Sequence, residues 1–184
     1  IVLPIAGQTL LSRKWIEGQT VDGGEVYRLN GNEVDPGMMK EAIAENSDDD
    51  ISIITSDREM IAQIPGVREI MLNYIPEGWE NGEYKYSRMD GTQFYVETYY
   101  SKQNQKDIRY RSVSFENMDS VSNEIQQDAA GIEKRLNEVN VYFTNNNEVA
   151  VATWNIDLSN YTLFAPVSEE EMQKMIESIK EVNK

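Results

Sequence analysis

The sequence predicts an α+β fold: a mainly antiparallel sheet with a C-terminal amphipathic helix packed on one face, plus an N-terminal β-α-β-α segment. Three observations carry that expectation. Val139, Val141 and Phe143 alternate with polar neighbours, as do Val149, Val151 and Thr153, and between them Asn145-Asn146-Asn147 tolerates left-handed backbone, so the pair reads as a hairpin. Tyr161, Leu163 and Ala165 alternate again after a turn read at Ser159-Asn160 and stop at Pro166, which cannot donate to a ladder. Ser168 then stands at an N-cap position with Glu171 completing a capping box, and Met172, Met175, Ile176, Ile179 and Val182 recur at helical spacing on one face.

The N-terminal elements follow the same logic. Glu25 to Leu29 reads as a strand between the turn clusters Asp22-Gly23-Gly24 and Asn30-Gly31-Asn32. Asp35 caps a helix over Pro36 to Glu45, with proline at its first position and Val34 and Met39 placed as a staple. Ile51 to Thr55 reads as a buried strand, and Ser56 with Glu59 caps a short helix that ends at Pro65-Gly66. That dipeptide is the predicted internal boundary, dividing a segment 1–66, either an extension of the sheet or a small subdomain, from an antiparallel α+β domain 67–184. Beyond it, Val67 to Tyr74 reads as a strand, Tyr84 to Ser87 and Thr92 to Tyr100 flank the hairpin signal Asp90-Gly91, and Ile108 to Phe115 forms a further strand. Asp119 to Leu136 carries Val121, Ile125, Ala129, Ile132 and Leu136 at helical spacing and is expected to form one helix or two short ones.

Composition excludes more chemistry than it suggests. The 184 residues are 40% apolar, as in a globular protein, and 17 basic against 32 acidic side chains leave a net charge of −15. Such a charge repels a phosphate backbone, so nucleic acid is not an expected partner. The chain has neither cysteine nor histidine, which removes thiol nucleophiles, disulfides, Ser-His-Asp triads and the usual zinc ligands. No nucleophile elbow, Ser-x-x-Lys, Gly-x-Gly-x-x-Gly or P-loop occurs, so no catalytic residue, metal ligand or cofactor is assigned and the chain reads as a non-enzyme. Ile1 to Ala6 is too short an apolar run to cross a bilayer. The start without methionine suggests an upstream signal or anchor, the competing reading being an edge strand Ile1 to Ile5 broken by Pro4.

Two constellations invite a functional reading. Asp48, Asp50, Ser52, Ile54, Ser56 and Glu59 fall at EF-hand ligand spacing, but Ile53 stands where the loop's sharp turn needs glycine, so a solvated acidic loop is the better reading. Six of the ten tyrosines lie between Tyr84 and Tyr110, interleaved with lysines and arginines. Strand propensity accounts for most of that clustering. Alternation still separates Tyr95, Glu97 and Tyr99 from Phe94, Val96 and Tyr100, which makes the first set the candidate binding surface if one face is exposed.

Tyr74-Ile75-Pro76-Glu77-Gly78-Trp79 resembles a characteristic run of the bacterial family known as domain of unknown function 4367. The C-terminal pattern is similar too: Val139-Asn140-Val141-Tyr142, Ala152-Thr153-Trp154, Tyr161-Thr162-Leu163 and Ser168-Glu169-Glu170 before Ile176-Glu177-Ser178-Ile179. The likeness covers residues 67–182, interrupted by the long Asp119 to Leu136 stretch. It implies an extracytoplasmic domain in the cell envelope, at the outer end of a membrane-anchored protein similar to anti-sigma factors or lipoproteins. The membrane would be reached only through an anchor outside this chain, the partner would be an unidentified protein or envelope ligand, and no catalytic residues come with it. The alternative expectation is a carrier or lipoprotein domain whose sheet curves around an apolar or glycan ligand; a carboxylate-based enzyme is the third.

Overall fold

A computed structural model describes residues 14–21, 24–29, 32–35, 51–89, 93–115, 131–146, 149–179 and 182. Among them are β1 (Lys14–Val21), β2 (Gly24–Leu29), β3 (Asn32–Val34), β4 (Ile51–Thr55), β5 (Glu80–Met89), β6 (Gln93–Ser101), β7 (Ile108–Phe115), β8 (Ile132–Leu136), β9 (Val139–Asn146), β10 (Val149–Ile156) and β11 (Ser159–Ala165). The helices are α1 (Arg58–Ile61), α2 (Val67–Ile70) and α3 (Glu169–Glu177). All eleven strands join one sheet in the order β3-β2-β1-β4-β5-β6-β7-β11-β10-β9-β8. Among the described residues only β1 with β4 runs parallel; the other pairs are antiparallel, so the α+β class with a mainly antiparallel sheet is what forms.

The core lies on the sheet face that α3 covers. Tyr84, Val96, Tyr100, Ile108, Tyr110, Val141, Ala152, Trp154, Tyr161 and Leu163 project there from β5, β6, β7, β9, β10 and β11. Met172, Met175, Ile176, Ile179 and Val182 are buried against them, as the stripe requires, and their burial contributes on the order of 8–15 kcal/mol before chain entropy is charged. Ser168 Oγ accepts from the Glu171 N–H at 3.3 Å, the expected cap. The reciprocal half of the box is diverted, because the Glu171 carboxylate accepts instead from Tyr74 and Lys174. The α-helix stops at Ser178, and the bonds from Ile179 N–H to Ile176 and from Val182 N–H to Ile179 carry the stripe onward in tighter turns.

Several expectations need correction. Val67 to Tyr74 is not a strand: Gly66, at φ 82°, opens α2, and Val67, Ile70 and Met71 bury one side of a helical turn before the chain extends at Met71. A short apolar run fits either geometry, and the left-handed glycine decides. The cap of α1 is Asp57, not Ser56, since its Oδ1 accepts from Glu59 N–H at 2.9 Å and Met60 N–H at 3.1 Å. The last turn falls at Asp157-Leu158, with Asp157 at φ 48°, while Ser159 and Asn160 belong to β11. Ile132 to Leu136 is strand β8 and not helix: Ile132 and Leu136, four apart, share a face of a strand as well as of a helix, and Asn137, at φ 54°, turns β8 straight into β9. Strands β1 and β3 had no clear signal. The expected Ile1 to Ile5 strand, the Pro36 to Glu45 helix, the Asp48 to Asp50 run, the Asp90-Gly91 turn and residues 119–130 lie outside the described residues.

Strand β4 hydrogen-bonds β5, and Ile53, Ile61 and Val67 belong to the same buried cluster as Trp154 and Met172. The sheet and its core therefore run unbroken past Pro65-Gly66.

Candidate binding surface

The face turned away from α3 is built by the odd residues of β5, β6 and β7 and the even ones of β11. Register places Lys85 opposite Glu97 and Glu97 opposite Arg111, and in the next row Tyr99 opposite Arg109 and Arg109 opposite Phe164. Arg109 Nε donates to Glu97 Oε1 at 2.5 Å, and its guanidinium carbon lies 5.7 Å from the Tyr99 ring centre and 6.0 Å from that of Phe164. Lys85 Nζ stands 5.0 Å over the same tyrosine ring while pairing with Glu83 at 3.0 Å. One aromatic ring is thus held between two cations, a geometry stabilised by the ring quadrupole.

A glycine sets that ring's position. The β5–β6 register slips between Asn81 and Tyr84, and at Gly82 an added Cβ would come within 2.5 Å of the Tyr99 carbonyl oxygen. Only glycine lets β5 approach the β6 backbone so closely there.

The charges in the patch are paired. Glu97 is only 5% exposed and its charge is balanced by Arg109, which remains half-exposed. The Tyr99 hydroxyl is pushed above its ordinary value, first by burial and then by the Glu97 carboxylate, against the opposing pull of Arg109 and Lys85. The Lys85 ammonium is held protonated chiefly by its bond to Glu83. Of the expected trio, Tyr99 and Glu97 meet in this patch, Glu97 serving as its buried counter-ion. Tyr95 follows Phe94 in β6 opposite Val113, and its side chain is outside those described. Lys85 and Arg109, expected only among the basic residues interleaved with the tyrosines (Lys85, Arg88, Lys102, Lys106, Arg109 and Arg111), and Phe164, which was not foreseen, join the site through cross-strand register. The other tyrosines of the cluster, Tyr84, Tyr86, Tyr100 and Tyr110, are core, and the Tyr110 hydroxyl donates to the Ile70 carbonyl at 2.6 Å.

The Tyr-Ile-Pro-Glu-Gly-Trp run is a structural clasp. Trp79 N–H donates to the Pro76 carbonyl at 3.3 Å across a turn whose third residue, Gly78, sits at φ 84°, and Lys102 Nζ donates to the Glu77 carbonyl while lying 5.8 Å over the Trp79 ring. Just before it, Asn73 N–H donates to Ser178 Oγ at 3.0 Å and Asn73 Nδ2 to the Ser178 carbonyl at 2.8 Å, while the Tyr74 hydroxyl donates to Glu171 at 2.6 Å. Tyr74 and the preceding Asn73 therefore fasten α3 at its first turn and at its C-cap. No group of three or more metal-ligating side chains occurs among the described residues.

No curated protein and no solved structure matches the chain. The family model described as Domain of unknown function (DUF4367) matches residues 69–179, which take in the clasp, β5 to β11 and α3, more than half of the chain. This protein belongs to the DUF4367 family.

Proposed function

We propose that this chain is a non-enzymatic extracytoplasmic domain that senses or binds a partner, a protein or an envelope ligand, for a membrane-anchored bacterial regulator. The setting rests on the family resemblance, which implies a domain at the outer end of an anchored protein. The observation that carries recognition over catalysis is the Tyr99 patch. Its carboxylate is neutralised, its phenol is pushed away from deprotonation, and its rings and cations are fixed in a sheet, so it offers a shaped surface without a poised acid, base or nucleophile.

The absence of cysteine supplies a clean test of location. Tyr142→Cys, at a position 36% exposed, gives the domain a single thiol. In cells making the protein from its complete reading frame, a membrane-impermeant maleimide is expected to label that thiol before lysis. Labelling only after lysis overturns the reading.

A second reading, an internal ligand site, is favoured by one observation: Ser112 Oγ and Trp154 Nε1, on either side of Tyr161 in the core, are buried without a hydrogen-bond partner among the described residues. Native mass spectrometry of gently purified protein decides it. A co-purifying mass that Ser112→Ala loses supports the site; bare polypeptide removes it.

A further inference from the structure

Strand β8 closes the sheet on one side among the described residues, and on it Ile132 is 61% exposed, the most exposed large apolar side chain there. Edge strands with exposed apolar groups are templates for further pairing unless something covers them. The five residues read Ile132-Glu133-Lys134-Arg135-Leu136. Turned antiparallel about Lys134, this segment is complementary to itself: Ile132 meets Leu136, and Glu133 meets Arg135, twice over.

The backbone permits that register. Asn137-Glu138 is a two-residue turn, and Leu136 pairs with Val139, so those flanking residues exchange both of their backbone hydrogen bonds. Counting back, Lys134 and Ile132 also bond inward to β9, which leaves the N–H and C=O groups of Glu133 and Arg135 pointing outward. An outward residue must face an outward residue on the partner. Among symmetric pairings that obey this, centring on Glu133 sets glutamate against glutamate, and centring on Arg135 sets arginine against arginine. Centring on Lys134 alone sets opposite charges together. The facing lysines are already compensated, because each Lys134 ammonium is bound to Glu169 of its own chain. Arg135 has only to exchange Glu138, an exposed partner, for Glu133 of the second copy.

We propose that β8 is a self-complementary edge through which two copies of this chain pair about a two-fold axis, extending the sheet from one molecule into the next. The pairing is short, so the dimer is weak and depends on local concentration, as suits copies gathered on one surface. Its two reciprocal ion pairs make it sensitive to salt.

The lack of cysteine again gives the experiment. In the proposed register Lys134 faces its own copy as a non-hydrogen-bonded pair, with Cα atoms about 4.5 Å apart, inside the disulfide range of about 4.4–6.8 Å. Lys134→Cys is expected to oxidise to a covalent dimer, whereas Tyr142→Cys, one strand further in, is not. Adding Glu133→Arg to Lys134→Cys should slow dimer formation at least about tenfold, and adding Arg135→Glu as well should restore it, with the circular dichroism of all variants unchanged. Equal oxidation at the two cysteine positions, or a rate indifferent to Glu133→Arg, overturns the proposal. Sedimentation of the unmodified chain gives the second measurement: self-association weakened by salt and by Glu133→Arg is expected, and a monomer at every concentration, or a dimer untouched by both, refutes it.

Discussion

Tyr99 and Tyr100 are neighbours in β6 that meet opposite environments. Tyr100 is 1% exposed, edge-on to Tyr84 with ring centres 6.4 Å apart, and burial drives its hydroxyl far above the ordinary phenol value. Tyr99 is half-buried between Lys85 and Arg109 on the other face. The same side chain serves as core volume on one side of the sheet and as a cation-gripping plate on the other. The helix-covered face holds the fold by apolar burial; the opposite face holds its shape by charge and ring geometry. Substitutions on the two faces should therefore differ in size and in kind.

The largest expected loss is in the covered face. Trp154 stacks on Tyr161 at 5.3 Å between ring centres with an 8° interplanar angle, and lies 6.3 Å from Tyr110, so Trp154→Ala should cost about 3–5 kcal/mol, read as a lower midpoint in chemical denaturation. Gly82→Ala, which pushes a methyl at the Tyr99 carbonyl, should cost about 1–3 kcal/mol and also disturb the patch above it, a joint effect seen as altered Tyr99 fluorescence or chemical shift. If it is neutral, the close approach of β5 to β6 is wrong. Arg109→Met leaves Glu97 buried beside fewer positive charges and should destabilise by about 1–2 kcal/mol, with Glu97→Gln in the same chain recovering most of it; simple additivity of the two would break the claim that they act as a pair.

The smallest effect is a pH dependence at the clasp. The Tyr74 hydroxyl, then Lys174, hold the Glu171 carboxyl below its ordinary value of 4.5. A depressed carboxyl contributes stability that is present above its unfolded value and lost as pH falls through the folded one. Tyr74, raised first by the bond to Glu171, has the opposite dependence: its contribution is whole below 10.0 and lost as pH rises through the folded value. Thermal melts of Glu171→Gln should show a flatter acid limb than the parent, by a degree or so, and a shorter alkaline one; identical limbs would place the clasp's stability elsewhere.

How much of this was legible in the sequence follows from how far apart the cooperating residues are. Strands β9 to β11 and helix α3 could be read because their signals are local: alternation, a proline stop and a serine cap within a few residues of what they organise. Strand β1 could not, for Lys14 to Val21 has little alternation and is held as a strand by β2 on one side and β4 on the other. The same limit governs the site. Glu97 and Tyr99 stood out by spacing, but that Glu97 lies between Lys85 and Arg111, and Tyr99 beside Arg109, depends on the offsets of three strands. Alternation says which residues share a face; only pairing says which of them touch.

The place of β11 in the sheet has a consequence for how the protein is made. Strand β11, the last in chain order among the described residues, inserts between β7 and β10, near the middle of the ladder. Until it emerges, two long backbone edges stay open, and the clasp at Asn73 has no Ser178 to grip. The sheet and the clasp must wait until β11 and Ser178 have been made, and contacts so distant along the chain make folding slow. A nascent chain stalled before Ser159 would carry the unpaired rims of both halves, which makes it a natural client for chaperones that shield bare strands.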